Sequence, residues 1–276
     1  YDRGHTEIAS SISLSSAKDL LMMDNLSDWS GYNSSDGYLT IYKLKECPYF
    51  VIAKTWYASE MERSGSVWTH SLLIRTDAIP RNFDFRFLLN LFARPEVGKY
   101  SQYQSSIHIE DSTIGENELL SEETILQTLL LYYLLLEGHQ NITFSIDLPQ
   151  QILQIVIVTI LQYLPLNIVW KISGCTGTLT PRKYDSESLG IQFTESSNNK
   201  LFSGKVNKTF FAPDILEILE YVGKCMRNAN DDFFSAFRIF TNDIGTSSDK
   251  ASTMIYSLMK LTQVLRKTHG KSEDYL

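Results

Sequence analysis

The histidines are the first residues to consider for chemistry, and they are few and far apart. They are His5, His70, His108, His139 and His269, and no two stand at the spacing of metal ligands. If His5 and His70 met in space, they could bind an anion or act as an acid–base pair, with Arg63 completing a hydrolase- or phosphodiesterase-like site. A single histidine on a strand is more often a hydrogen-bonded structural residue. We therefore expect no metal site and keep the enzyme as an alternative.

A glycine-containing segment, residues 174–178, is the nearest approach to a phosphate-binding loop. Its sequence GCTGT follows a predicted buried strand and could present backbone N–H groups to an anion. It lacks the lysine of a nucleoside-triphosphate loop, so a tight turn is the favoured interpretation, with Thr176, Thr178 and Arg182 as candidates for polar contacts. Cys175 has no neighbour that marks it as an activated nucleophile. Because the familiar phosphate, dinucleotide and metal motifs are also absent from the sequence, we expect no cofactor.

The charge distribution limits the classes of partner. The 276 residues include 25 basic and 32 acidic side chains, a net charge of −7. Residues 100–170 contain no Lys or Arg but eight Asp or Glu, so this one segment carries nearly all the net charge. Such a segment repels phosphate backbones and makes broad nucleic-acid binding unexpected. Lys200, Lys205 and Lys208 leave open a local basic edge, as in a sensor of nucleic acid or of a phage component.

Cysteine usage and hydropathy indicate the compartment. The three cysteines are far apart in sequence, which is typical of a reducing environment. The most apolar run, residues 152–164, is shorter than the roughly 20 residues that span a bilayer. We therefore expect a soluble cytoplasmic protein without membrane contact.

Hydrophobic periodicity predicts a mixed sheet in the first half of the chain. A helix capped by Ser15 or Ser16 should run to about Leu26, followed by strands at residues 38–45, 49–57 and 67–75. The first two strands should form a hairpin, and a helix at residues 83–93 should end before Pro95. Because side chains alternate along a strand, Trp68 and His70 are expected to share one face.

The second half predicts a βαβ unit followed by helices. A helix with Ser121 as its N-cap should end at Gly138. A strand at residues 142–146, a buried helix to residue 163 and a strand at 166–173 would make a parallel pair. A further strand is expected at 189–194, with helices at 213–226, at 231–240 and from 248 to before Gly270. The predicted fold class is α/β, with an α+β tendency in the N-terminal half, and the predicted domains are 1–116 and 117–276.

Several sequence patterns resemble a known family. Residues 1–5 (YDRGH), 9–11 (ASS) and 26–28 (LSD) resemble the opening of the N-terminal domain of the bacterial GTPase-associated adaptor family. Residues 54–56 (KTW) and 63–74 (RSGSVWTHSLLI) are similar to the second signature of that domain, with Ser64 where the family usually has proline. A less specific pattern, residues 172–177 (ISGCTG) with Arg182, is similar to a strand-and-loop element of the family's middle domain.

The resemblance implies a non-enzymatic adaptor or recognition subunit of a bacterial GTPase-linked conflict system, acting in anti-phage defence. Its expected partner is a protein, such as a GTPase-type switch or an effector. The family brings no catalytic residues, so the matched positions are candidates for a shared binding surface or equally for a shared core. These positions are Arg3, His5, Asp28, Trp56, Arg63, Trp68 and His70.

Overall fold

A mixed β-sheet with helices on both faces organises the chain. The computed structural model describes residues 6–79, 83–108, 120–139, 141–199 and 213–228, together with residues 257 and 260. The helices are α1 (Ala17–Ser27), α2 (Glu122–Leu136), α3 (Gln150–Tyr163), α4 (Leu166–Val169) and α5 (Pro213–Asn228), with 3-10 helices at Phe85–Leu91 and Ser101–Tyr103. The strands are β1 (Tyr38–Lys43), β2 (Tyr49–Tyr57), β3 (Val67–Arg75), β4 (Ile142–Ser145), β5 (Gly174–Thr178), β6 (Lys183–Tyr184), β7 (Glu187–Ser188) and β8 (Ile191–Thr194).

The six longer strands form one sheet in the order β3-β2-β1-β5-β8-β4. Strands β1, β2 and β3 are antiparallel, and β1 also pairs antiparallel with β5. Strands β4 and β5 each pair parallel with β8, which lies between them. The strand predicted at 142–146 is confirmed as β4, but its predicted parallel partner at 166–173 is not a strand, and β4 pairs parallel with β8 instead. The α/β class with a mixed sheet is confirmed as well.

Helix α1 covers one face of the sheet near β1, β2 and β5. Its N-cap is Ser16, whose hydroxyl accepts the Asp19 N–H at 3.1 Å, as the sequence predicts. Met22 and Leu26 are buried against alternate residues of the strands, among them Tyr42 and Val51. This α1 face thus has a compact apolar cluster of its own.

The opposite face of the sheet carries the larger core. Helix α3 is apolar on nearly every side, because it is packed between the sheet, α2 and the first 3-10 helix. Alternate residues of the strands, including Ile41, Ile52 and Leu72, face this layer. Helix α2 begins with Ser121 as its N-cap and is followed by Gly138 at φ 78°, both as predicted.

Three local predictions are wrong. Residues 166–173, predicted as a strand, contain the short helix α4 after Pro165, because a short apolar run does not distinguish helix from strand. Residues 174–178, predicted as a turn, are the strand β5 and are fully buried. The predicted helix at residues 83–93 is a 3-10 helix, Phe85–Leu91. In residues 174–178 the side chains are small and all buried, so polar and apolar residues do not alternate as in a half-buried strand. In residues 85–91 most side chains are bulky and apolar, and their spacing does not distinguish an α-helix from a 3-10 helix.

Strands from both sides of the predicted domain boundary share the sheet, since β1 pairs with β5. The boundary after residue 116 falls outside the described residues, so the division into two domains stays a prediction. Helix α5 confirms the helix predicted at 213–226, whereas those at 231–240 and from 248 lie outside the described residues except for Ser257 and Lys260. Nothing helical in the described ranges has the length and apolarity that a bilayer crossing requires.

Candidate functional site

Three of the matched positions, Trp56, Trp68 and His70, lie on one face of the sheet. In the antiparallel pairing of β2 with β3, Trp56 stands opposite Trp68, and Lys54 stands opposite His70. Along their strands, all four lie on the same side of the sheet as the residues of the larger core, such as Ile52 and Leu72. They therefore continue that side of the sheet with aromatic and basic side chains. The prediction that Trp68 and His70 share one face is confirmed. We call these four residues the tryptophan–histidine face.

His70 is enclosed by aromatic side chains. Its ring lies edge-on to Tyr103 at 4.8 Å and to Phe92 at 5.6 Å between centroids. The Ala93 N–H donates to its Nδ1 at 3.4 Å, which leaves the neutral tautomer with its proton on Nε2. Burial lowers the pKa of His70 to about 4. At neutral pH the imidazole is therefore an uncharged packing group, which is poorly matched to general base catalysis.

Trp68 is held by a short polar network. Its Nε1 donates to Glu60 Oε1 at 2.8 Å, and Arg94 Nη2 donates to both oxygens of that carboxylate at 2.7 and 2.8 Å. The backbone N–H of Glu60, Arg94 and Trp68 together hold the pKa of Glu60 below its ordinary value. Tyr100 stacks on Trp68 with 6.2 Å between ring centroids. Residues 92–103 are thereby fastened over β3, a contact that the sequence did not signal.

Lys54 and Trp56 form the other half of this face. The Trp56 ring is buried, and the Lys54 Nζ lies 5.4 Å from its centroid, within the range of a cation–π interaction. Burial lowers the pKa of Lys54, and Asp36 opposes that shift at longer range. A partly buried ammonium on an aromatic surface is thus the most unusual charged group of this face.

The remaining matched positions are not gathered with these. Arg63 is exposed in the turn between β2 and β3, where its carbonyl accepts the Ser66 N–H at 3.2 Å. Asp28 follows α1 on the other face of the sheet, with an exposed side chain. Arg3 and His5 lie outside the described residues. No hydrogen bond, ion pair or ring contact joins His70 to Arg63 in the part of the chain that the structure describes.

Arg182 lies at the C-terminal end of α1. Its guanidinium donates to the carbonyls of Asn25 at 3.0 Å, Leu26 at 3.1 Å and Asp28 at 3.2 Å. Helix α1 has no basic residue in its own last turn, so Arg182 supplies the positive charge that complements its dipole. The donors are directed to backbone carbonyls, which is a structural use of this side chain.

The hydroxyls of Thr176 and Thr178 are occupied within β5 and its neighbours. Thr176 Oγ1 accepts the Leu39 N–H at 2.8 Å and donates to Gln150 Oε1 at 2.8 Å. Gln150 Nε2 in turn donates to the Thr176 carbonyl at 2.6 Å. Thr178 Oγ1 donates to the Thr180 carbonyl at 2.6 Å. An anion at this position would have to displace these bonds, and the anion-binding role of both residues stays a prediction.

Asp19 has a structural role that the sequence did not reveal. It is completely buried, and its carboxylate accepts the backbone N–H groups of Lys45 at 2.8 Å, Glu46 at 3.2 Å and Cys47 at 2.7 Å. This interaction fastens the turn between β1 and β2 to the first turn of α1. Sequence alone shows an acidic residue near a helix start, which is usually exposed.

Exposed apolar side chains occur on the α1 side of the sheet. Trp29 is 40% exposed, yet its Nε1 donates to the Tyr32 carbonyl at 3.1 Å and its ring lies 5.5 Å from that of Tyr57. Leu20 and Leu21 of α1 are 39% and 57% exposed. We call Leu20, Leu21 and Trp29 the α1 surface.

Metal and nucleic-acid sites gain no support from the described residues. Within them, no group of three or more His, Cys, Asp or Glu side chains could hold a metal ion. Lys200, Lys205 and Lys208, which could form a basic edge, lie outside the described residues.

One comparison with known proteins gives a match to the first segment of the chain. Residues 1–92 match the family described as GTPase-associated protein 1, N-terminal domain type 1. No curated protein and no solved structure matches the chain. The match spans α1 and β1–β3, and it excludes residues 172–182, so the resemblance to the middle domain stays a prediction. This match confirms the resemblance of the first segment: residues 1–92 are similar to the type 1 N-terminal domain family of GTPase-associated protein 1.

Proposed function

We propose that this protein is a non-enzymatic adaptor or recognition subunit of a bacterial GTPase-linked conflict system, acting in anti-phage defence by binding a protein partner. The observation that carries the proposal is the match of residues 1–92 to a domain family named for its association with GTPases. The partner we propose is accordingly a GTPase-type switch protein.

The uses of the candidate polar residues support binding over catalysis. His70 is uncharged at neutral pH and packed between aromatic rings, and Arg182 is committed to the end of α1. A hydrolase using His5, His70 and Arg63 would need these groups around one reacting atom. Of these three residues, the structure describes His70 and Arg63, and no hydrogen bond, ion pair or ring contact joins them.

The α1 surface is the region we propose for the partner. Trp29 is fixed by its hydrogen bond to Tyr32 and by its packing on Gly65, whose added Cβ would lie 3.3 Å from the indole ring. A rigid, partly exposed tryptophan loses little conformational entropy on binding and is the residue type most typical of interface hot spots. Its position in the matched segment links it to the family's association with GTPases.

The test is titration of the protein with GTPases encoded beside its gene, each loaded with GTP or GDP. Substituting Trp29→Ala should weaken binding by about 30-fold, which corresponds to roughly 2 kcal/mol, the size of a hot-spot loss. Val97→Ser is the matched control, because Val97 is 66% exposed and belongs to the segment that covers the opposite face of the sheet. Thermal unfolding of both variants confirms that each remains folded.

Two results would contradict this function. One is the absence of any complex with the neighbouring GTPases in either nucleotide state. The other is turnover of a nucleotide or peptide by the wild-type protein that His70→Ala abolishes while the fold is retained.

A further inference from the structure

Lys54 occupies a place in the sheet that usually holds an apolar residue. It stands in the middle of β2, between Leu39 of β1 and His70 of β3. The preceding residue on the same face, Ile52, and the following one, Trp56, are both buried. The Lys54 side chain itself is partly buried and lies over the Trp56 ring.

No carboxylate of the described residues forms an ion pair with Lys54. Lysines 18, 45 and 99 are all more exposed, and each has an acidic partner within 2.8 Å. Among the described residues, Asp36 is the only carboxylate whose charge raises the pKa of Lys54. Asp36 accepts a hydrogen bond from Gln151 Nε2 at 3.0 Å. Gln151 lies in the first turn of α3, where the helix dipole also favours the negative charge of Asp36. Asp36 is thus stabilised independently of Lys54.

Lys54 lies between two parts of the sheet that other segments of the chain cover. On the β3 side, Phe92 and Tyr103 enclose His70. On the β1 side, Gln154 of α3 donates to the Gly37 carbonyl at 3.1 Å. A partly desolvated ammonium with no carboxylate in contact is costly, and such groups are often found where a ligand supplies a contacting anion.

We propose that Lys54 is the cationic centre of a carboxylate-binding site on the tryptophan–histidine face. The carboxylate of the ligand contacts the Lys54 ammonium, and the aliphatic part of the ligand packs along the aromatic rings. Its source is either a free organic acid or an acidic group of a bound protein. The proposal does not depend on the GTPase partner, because it concerns the opposite face of the sheet from the α1 surface.

The charge of the site favours a monoanion over a phosphate dianion. Lys54 brings one positive charge, and His70 adds none at neutral pH. A carboxylate would neutralise the lysine, whereas a dianion would leave an excess negative charge within the influence of Asp36. The single ammonium also lacks the forked donors with which arginine clusters typically recognise phosphate.

Tryptophan fluorescence provides the assay, because Trp56 lies directly beneath the ammonium. The probes are sodium acetate, a blocked peptide with one internal Glu, and a peptide with a free C-terminal carboxylate, titrated at constant ionic strength against sodium chloride. Saturable binding of acetate indicates a free organic acid as a sufficient ligand, and tighter binding of either peptide indicates a protein carboxylate. Sodium phosphate at the same concentrations should bind more weakly than the best carboxylate.

Variants make the assignment specific. Lys54→Met keeps the length of the side chain and should weaken carboxylate binding at least about tenfold, whereas Lys54→Arg should retain it. Lys43→Met is the matched control, because Lys43 is an exposed lysine of the adjacent strand. Without ligand, Lys54→Met should unfold at a higher temperature than the wild type, because an unpaired charge is removed.

The proposal is overturned if no carboxylate probe gives saturable binding, or if Lys54→Met binds as well as the wild type. It is also overturned if Lys54→Met lowers the unfolding temperature by as much as Asp36→Asn does, because Asp36 would then be the lysine's own partner. Under the proposal, Asp36→Asn leaves carboxylate binding intact or strengthens it.

Discussion

Asp19 offers the sharpest test of how the N-terminal segment is held together. Its buried carboxylate accepts three backbone N–H groups from the turn between β1 and β2. The substitution Asp19→Asn keeps the shape of the side chain but replaces one accepting oxygen with an NH₂ group. If the amide oxygen stays with Lys45, the NH₂ group faces the Cys47 N–H, which loses its 2.7 Å acceptor.

The expected loss of stability follows from these contacts. One buried donor left without an acceptor costs about 1–3 kcal/mol, and the remaining bonds lose the strength that the charge gave them. We expect Asp19→Asn to lower the free energy of unfolding by about 2–3 kcal/mol and Asp19→Ala by about 3–5 kcal/mol. Against a typical total of about 5–15 kcal/mol, either loss is large.

The pH dependence identifies the carboxylate as the cause. Burial by itself would raise the pKa of Asp19, but the N–H groups of Cys47, Glu46 and Lys45 together hold it below its ordinary value. A group with a lowered folded-state pKa contributes stability above its unfolded pKa of about 3.9 and loses that contribution as the pH falls through its folded value. The stability difference between wild type and Asp19→Asn should therefore be constant from pH 6 to 8 and shrink below about pH 4.

Urea denaturation followed by circular dichroism measures this difference at each pH. With a slope of about 2–3 kcal/mol/M for a chain of this size, Asp19→Asn should lower the urea midpoint by about 1 M at neutral pH. Asp24→Asn is the matched control, because Asp24 is an exposed carboxylate of the same helix. An unchanged midpoint for Asp19→Asn, or a difference from wild type that persists undiminished in acid, would refute the reasoning.

Two further substitutions test the packing of α1 and β5. Gly177→Ala would place its Cβ 2.5 Å from the Tyr32 ring, so we expect a loss of about 1–3 kcal/mol in urea denaturation that becomes smaller in a Tyr32→Ala background. An equal loss in both backgrounds would show that the ring is not the obstacle. Arg182→Met should cost about 2 kcal/mol through the lost hydrogen bonds to the end of α1, and Arg182→Lys should restore little of it. The exposed neighbour Lys183→Met should have no effect, and an equal effect from both positions would contradict the capping role.

The parts of the fold that the sequence predicted are those with strong local signals. The limits of β2 and β3 and the N-caps of α1 and α2 follow from alternation and capping residues within each segment. Strand β5 escaped prediction because its residues are small and buried on both faces, which removes the alternation. The apolar run that contains α4 is too short for its hydrophobic spacing to distinguish a helix from a strand.

In the candidate site, too, the sequence predicted the relations within one strand but not the contacts with distant segments. Alternation alone placed Trp68 and His70 on one face, since that relation is local to a strand. The groups that determine their chemistry come from distant segments, such as Ala93 and Tyr103 beside His70 and Glu60 beside Trp68. Asp19 and Arg182 escaped for a related reason, because charged residues of these types are usually exposed and their burial depends on the tertiary fold.

The matched family segment is physically incomplete without the rest of the chain. Strand β1 needs β5 at its free edge, and the apolar cluster beneath α1 includes Cys175 and Leu189. Arg182 closes the end of α1 from the same distant region. A partner that binds the α1 surface therefore contacts a segment whose helix position depends on residues 174–191. This coupling gives the second half of the chain a physical route by which its state could alter recognition by the first half.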